Sequence, residues 1–313
     1  MTVTKNTHAL EWPSFSDQVR LVGWNRERLT PGLGETQNRL ELARAQTLFA
    51  VEHRFVEQTR QLIAPLVPSY ESADEFIEWF EELKATGPGQ QDPLFPWLAE
   101  SATYAQMRWF LEQEIAGEAG FEDLLAMTQI KMPLGPKLEM ARNYWDEMGR
   151  GAAKGMHGPM LERLGHCLDV HPALETTTRE SLALGNMMVA LAFNRRYAFH
   201  SVGALGVIEM TAPDRAGFVV QGLNRLGVPK KDSQYFSLHA VLDKQHSKQW
   251  NAEVLKPLVS GDLCRARAIA EGALLRLWCG ERCFNRYRKE FGLTRLTRAT
   301  PTSRVSRERE TVE

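Results

Sequence analysis

Apolar positions recur every three or four residues along almost all of the chain, and no stretch alternates in the manner of a half-buried strand. That periodicity predicts an all-α protein. Between Thr36 and Leu62, the positions Leu40, Ala43, Leu48, Val51, Phe55 and Leu62 keep to helical spacing, and Pro65 stops the run. Ser72 and Glu75 form a capping-box pattern ahead of Phe76, Trp79, Phe80 and Leu83, with Gly87-Pro88-Gly89 closing that helix. A third helix is predicted over 101–118, and Gly120 separates it from a short helical piece at 121–130. Pro136 suits the first turn of the next helix, because a proline there forfeits no intrahelical hydrogen bond. Glycines at 149, 151, 155 and 158 follow it. A long apolar helix is predicted over 177–211, with Pro213 beyond its end, then helices over 214–226, 233–258 and 262–290. Residues 1–34 read as an irregular arm, 35–291 as a single helical domain and 292–313 as a polar, disordered tail. The expected architecture is a helical bundle with added N-terminal helices.

Composition narrows the partners. The 313 residues carry 38 Lys+Arg against 39 Asp+Glu, so the basic stripe expected of a nucleic-acid or membrane-surface protein is missing from the balance. No apolar run approaches a membrane span, and the first residues lack a basic start followed by an apolar segment. A cytoplasmic protein is the expectation. Cys167, Cys264, Cys279 and Cys283 form no CxxC pair and read as reduced thiols.

Three places carry candidate chemistry. In YFSLHAVLDKQHSKQW, Asp243 lies about 40° from His239 around a helix and His246 about 20° on the other side. Two imidazoles and a carboxylate on one face suit iron, manganese or zinc, although a solvated polar face would read the same way. Glu147 and His157, in NYWDEMGRGAAKGMHGPML, would diverge by about 80° on a straight helix. The intervening glycines either bend the chain so that both turn inward, or simply end the helix and leave His157 in a loop. Glu209 follows the apolar run Val202, Ala204, Leu205, Val207 and Ile208. There it either faces solvent at a helix end or is buried and needs a partner or a metal.

Together these make three histidines and three carboxylates on three helices. The pattern Glu-x9-His, a lone Glu, then His-x3-Asp-x2-His differs from the paired Glu-x-x-His motifs of ferritin-like bundles. It resembles the haem-oxygenase-like diiron oxidase family, whose members are also described as iron-containing redox enzymes. The resemblance covers about residues 100–260 and includes the segment NYWDEMGRG. It implies a haem-oxygenase-like bundle with a diiron core in which Glu147 and His157 come from one helix, Glu209 from a second, and His239, Asp243 and His246 from a third. Some members add a carboxylate from an upstream helix, for which Glu118 and Glu114 in LEQEIAGE are both candidates.

The resemblance implies two Fe(II/III) ions, O2 as co-substrate, an external reductant or electrons drawn from the substrate, and oxidation of a small amine or amino-acid-like metabolite. N-oxygenation and oxidative C–C cleavage are the reactions it favours, and relatives are often homodimers. Two Fe(II) against three carboxylates would leave one positive charge, favouring an anion at the site. Arg150, Arg195 and Arg196 are candidate clamps for a substrate carboxylate, with surface ion pairing as the competing reading of each. A non-catalytic metal-binding or protein-interaction module on the same scaffold is the alternative function.

Overall fold

The computed structural model describes residues 12–34, 38–118 and 120–293, and every regular element among them is helical. The helices are α1 (Phe15–Leu29), α2 (Arg39–Ile63), α3 (Ala73–Thr86), α4 (Leu94–Glu100), α5 (Tyr104–Gly117) and α6 (Phe121–Thr128). They continue with α7 (Leu134–Glu147), α8 (His157–Cys167), α9 (Arg179–Phe193), α10 (Ala198–Arg225), α11 (Gln234–Gln249), α12 (Lys256–Gly261) and α13 (Cys264–Glu290). No helix among the described residues is long and apolar enough to cross a membrane. The tail predicted to be disordered falls, from residue 294 onward, outside the described residues.

The irregular arm expected over 1–34 is corrected by α1. Its N-terminus is capped by the Ser14 hydroxyl, which accepts from the Asp17 N–H. The buried stripe of α1 is Gln18, Leu21 and Asn25, two amides out of three, so hydrophobic periodicity does not register it. One residue of α9 meets one atom of each amide: Asn25 Nδ2 donates to Asn186 Oδ1 at 2.8 Å, and Asn186 Nδ2 donates to Gln18 Oε1 at 2.8 Å. Helix α1 therefore packs on α9 and α2 as part of the bundle.

Helix α10 is the axis of the fold. Nearly every residue from Ala198 to Thr211 is buried, as expected of a helix apolar all round, and it packs against α13, α11 and α4. Its crossing with α13 is a backbone contact. A Cβ on Gly203 would stand 1.9 Å from the Ile269 carbonyl oxygen, and one on Gly272 would stand 1.8 Å from that of His200.

Two boundaries differ from expectation. The single helix expected over 177–211 is split at Asn194, whose side chain accepts from the Arg196 N–H and starts a short turn at Arg195–Tyr197. Pro213 does not end a helix but lies inside α10, where it has no N–H to offer the Glu209 carbonyl. Packing on three neighbouring helices outweighs that lost bond. Downstream, α11 passes into a π-helical segment at Trp250–Leu255, and Pro257 sits in the first turn of α12 instead of ending the run. Such wide turns are frequent beside functional sites. Gly206 of α10 admits the Trp250 indole, whose Nε1 would lie 2.5 Å from a Cβ there.

Candidate metal centre

Glu147 is the last residue of α7 and His157 the first of α8, and both are buried. Between them the chain makes two short turns, and Met148 and Met156 meet in an isolated antiparallel bridge. The nine intervening residues are thus pinched out as a loop, and His157 Nδ1 comes within 2.6 Å of Glu147 Oε2. Gly149, at φ +60°, allows the pinch: its Cβ would lie 2.3 Å from the Gly155 carbonyl carbon. The inward-turning reading of the glycines is what the structure shows.

Glu209 is buried in the middle of α10, not at a solvent-facing end. Its Oε1 accepts from Asn143 Nδ2 at 2.7 Å, and its Oε2 lies 3.5 Å from His246 Nδ1. His239, Asp243 and His246 face inward from α11, with Asp243 and His246 fully buried. The His157 and His239 rings meet edge to face, 4.6 Å between centroids.

Ligand atoms of these residues form two triads, Glu147–His157–His239 and Glu147–Glu209–His246, each with its atoms within 4.8 Å of one another. Glu147 belongs to both. Asp243 stands outside the two triads but lines the same cavity as Glu147, Glu209 and His239. Glu114 and Glu118 line that cavity from α5 and its C-terminal cap, and neither enters a triad.

The surroundings orient the imidazoles. His239 Nδ1 lies 2.7 Å from the Tyr235 carbonyl oxygen, so it is the donor there and Nε2 is left for a ligand role. His246 Nε2 lies 3.2 Å from Asp146 Oδ2, leaving Nδ1 toward Glu209. His157 Nδ1 and His246 Nδ1 are buried, close to carboxylates, yet aligned for no hydrogen bond. Atoms that converge without bonding to each other are what a shared cation between them would require.

The electrostatics agree. Burial, then the Glu209 and Glu147 carboxylates, push Asp243 up to about 10, and burial with Glu209 raises Glu147 well above its usual range. Burial holds His157 and His239 down to about 4, with His246 and His157 respectively adding to the effect. His246 moves the other way, to about 9: burial lowers it, but Glu209 and Asp146 outweigh burial. Three crowded, buried carboxyls stand beside two neutral imidazoles, and His246 is the one imidazole that draws a proton to offset them. A divalent cation supplies the remaining positive charge, so these residues fit a metal.

The expected arginine clamps lie elsewhere. Arg150 is exposed, and its Nε donates to Asp146 Oδ1 at 2.6 Å, supporting the carboxylate that holds His246. Arg195 donates to the carbonyls of Met127, Thr128 and Ile130, closing the end of α6. Arg196 is exposed near Glu57. Each finds an acceptor on its own side of the fold, and the arginines that line the cavity are Arg215 and Arg276. Arg276 stands alone in the apolar run ALLRLWC, a signal open to sequence reading. Arg215 was hidden by taking Pro213 for a helix end. Asn143 and Asp146, which orient Glu209 and His246, carry no distinguishing sequence signal.

The profile of the family described as iron-containing redox enzyme matches residues 108–281, more than half of the chain. The chain belongs to that family. All six expected ligands, Glu114, Glu118, Arg215 and Arg276 fall within the matched residues, and the all-α fold is haem-oxygenase-like. The nitrosourea synthase of Streptomyces achromogenes subsp. streptozoticus is similar: 24% identical over 197 residues, covering 60% of this chain and 41% of the relative. The chain thus spans about two fifths of the length of that relative.

Proposed function

We propose that this iron-containing redox enzyme is an O2-dependent non-haem diiron oxygenase acting on a small amine or amino-acid-like metabolite, by N-oxygenation or oxidative C–C cleavage. The observation that carries the reading is Glu147, shared by two carboxylate–imidazole triads that border one cavity. A carboxylate with two oxygens between two imidazole-bearing positions is suited to bridge a pair of ions. Glu147, His157 and His239 would hold one ion, and Glu147, Glu209 and His246 the other. Asp243 would complete the set, with Glu114 or Glu118 as a further carboxylate from α5.

Bound iron would supply O2 activation; the chain's own residues do the rest. Asp146 and the Tyr235 carbonyl keep His246 and His239 turned inward. Asn143 holds one Glu209 oxygen and frees the other. Phe110, Leu184, Met188, Ile208 and Phe236 give the cavity an apolar lining that limits water around the substrate. Electrons beyond those of the substrate would come from an external reductant. A nitrosourea synthase among the relatives favours nitrogen as the atom oxidised.

The test is anaerobic Fe(II) loading, an iron count, and mixing with O2 in the presence of a panel of amines and amino acids. Two irons per chain, a transient visible absorption band and products heavier by oxygen or lighter by a carbon fragment are expected. A colourless mixture with unchanged iron would instead indicate a non-catalytic metal-binding protein.

A further inference from the structure

Several arginines of this fold are met by acceptors, and Arg282, which is not, lies against the Trp12 and Trp278 rings outside the cavity. Arg28 pairs with Glu52, Arg60 with Glu57 and Glu271, and Arg225 donates to the carbonyls of Leu98, Ala99 and Ala102. Arg215 of α10 and Arg276 of α13 are different. Both guanidinium side chains line the cavity that contains Glu147, Glu209 and Asp243, and among the described residues neither has a hydrogen bond or ion pair. Arg215 is held only against aromatic faces, 5.9 Å from the Phe95 ring centre and 5.7 Å from that of Phe284. Burial, and after it the nearby Arg276, disfavour the charge on Arg215. The acid felt by both is Glu114, already engaged by the Tyr287 hydroxyl. Two like charges brought together in a buried cavity, with no hydrogen-bonding acceptor of their own, are costly unless a ligand supplies one.

We propose that Arg215 and Arg276 form a clamp for the carboxylate of an organic monoacid whose reacting group lies several bonds away, at the metal centre. The inference rests on the oxygenase reading for the fate of the ligand, but not for its binding. Beside Glu114, the Glu118 carboxylate lines the same cavity and feels Arg276, so the two guanidinium groups leave little charge beyond what one carboxylate needs, and a dianion exceeds it. Planar guanidinium forks match a carboxylate. Arg215 follows Glu209 by six residues, about 9 Å of helix rise, so the acid group is anchored away from the metal ligands and does not occupy them. Leu184, Met188 and Val219 line the cavity that the body of the ligand would fill. Phe95 and Arg215 also border an outer groove, so the arginine end of the cavity adjoins a second opening.

Calorimetric titration with hexanoate, octanoate and decanoate, against octanamide and inorganic phosphate, tests this in metal-free and iron-loaded protein. At least one of the carboxylates should bind both forms, and more tightly than octanamide or phosphate. Arg215→Met and Arg276→Met, which keep side-chain length, should each weaken it about ten- to a hundredfold. Glu114→Gln should strengthen it by removing the opposing charge, and this variant decides the matter if the methionine variants misfold. Carboxylate binding no tighter than that of octanamide, binding only to the iron-loaded form, or phosphate preferred over every carboxylate would overturn the clamp. Because one arm contains no metal, a protein that clamps carboxylates but ignores O2 would sink the oxygenase reading alone.

Discussion

His157 Nδ1 lies 2.6 Å from Glu147 Oε2 because Met148 and Met156 close the loop between them at its neck. The neck is glycine on both sides: Gly149 has φ +60°, and its Cα lies 3.0 Å from where a Gly155 Cβ would be. Backbone against backbone is the closest approach the chain can make, and only there can α7 end and α8 begin beside one another.

Gly149→Ala should therefore push the neck apart. The new Cβ meets the Gly155 backbone at 2.3 Å and sits on a left-handed backbone as well, a strain costing about 1–3 kcal/mol. Thermal unfolding should shift downward, and iron bound per chain should fall below the wild-type count. Wild-type iron content and melting temperature in this variant would show that the neck does not set the Glu147–His157 spacing.

The sharing of Glu147 separates the ligands into two kinds. Glu147→Ala removes an oxygen from both triads and should abolish tight binding of either ion, while His239→Ala and His246→Ala each weaken one position. Iron counts after desalting should then rank the wild type above the two histidine variants, and these above Glu147→Ala. Equal losses in all three variants would mean that the two positions are not independent triads joined at one carboxylate.

Metal uptake should release protons. Asp243, pushed up to about 10 by burial with Glu209 and Glu147, is protonated at pH 7 in the metal-free site, and Glu147 is raised as well. His157 and His239, near 4, are already neutral and have no proton to lose. His246, raised to about 9, is protonated and must give up a proton to ligate. A cation must displace that proton and the carboxyl protons, so affinity should rise with pH up to the Asp243 value, with about two to three protons released per site. Indicator-dye titration with Zn(II) in weak buffer, free of oxidation, measures this. Uptake without acidification, or affinity flat from pH 6 to pH 9, would contradict the displacement.

Most of this site was legible because metal chemistry restricts residue type: few buried faces carry His-x3-Asp-x2-His, and Glu209 sat in an apolar run where a charge needs a reason. What stayed hidden depends on geometry that text does not encode. The Gln18–Asn25–Asn186 cluster makes α1 a buried helix through amides, against the rule that burial follows apolar periodicity. Pro213 signals a helix end in sequence, yet packing on three neighbours carries α10 through it and so delivers Arg215 to the cavity. The arginine candidates failed for a simpler reason. Nearness in sequence to Glu147 or Glu209 says nothing of which acceptor a long flexible side chain finds first, and Arg150 finds Asp146.

A last expectation concerns stability away from the metal. Glu271, buried on α13, receives hydrogen bonds from Arg60, Arg267 and His200 Nε2. Burial alone would raise its carboxyl, but the bonds from His200 and Arg60 outweigh burial and hold it down at about 2, against an ordinary value of 4.5. A carboxylate depressed on folding stabilises the native state above its unfolded value, and the contribution drains away as pH falls from 4.5 toward 2. Glu271→Gln removes the negative charge and one of the two oxygens that Arg60, His200 and Arg267 share, and at pH 7 it should cost about 3 kcal/mol, the scale of a broken buried ion pair. The deficit should narrow below the ordinary carboxyl value and close near the lower limit, because the wild-type group is then protonated too. Denaturant unfolding of both proteins across that range checks it. None of these residues lines the cavity, so iron content should be the same in the two proteins. A deficit constant with pH would mean that Glu271 contributes by shape and not by charge.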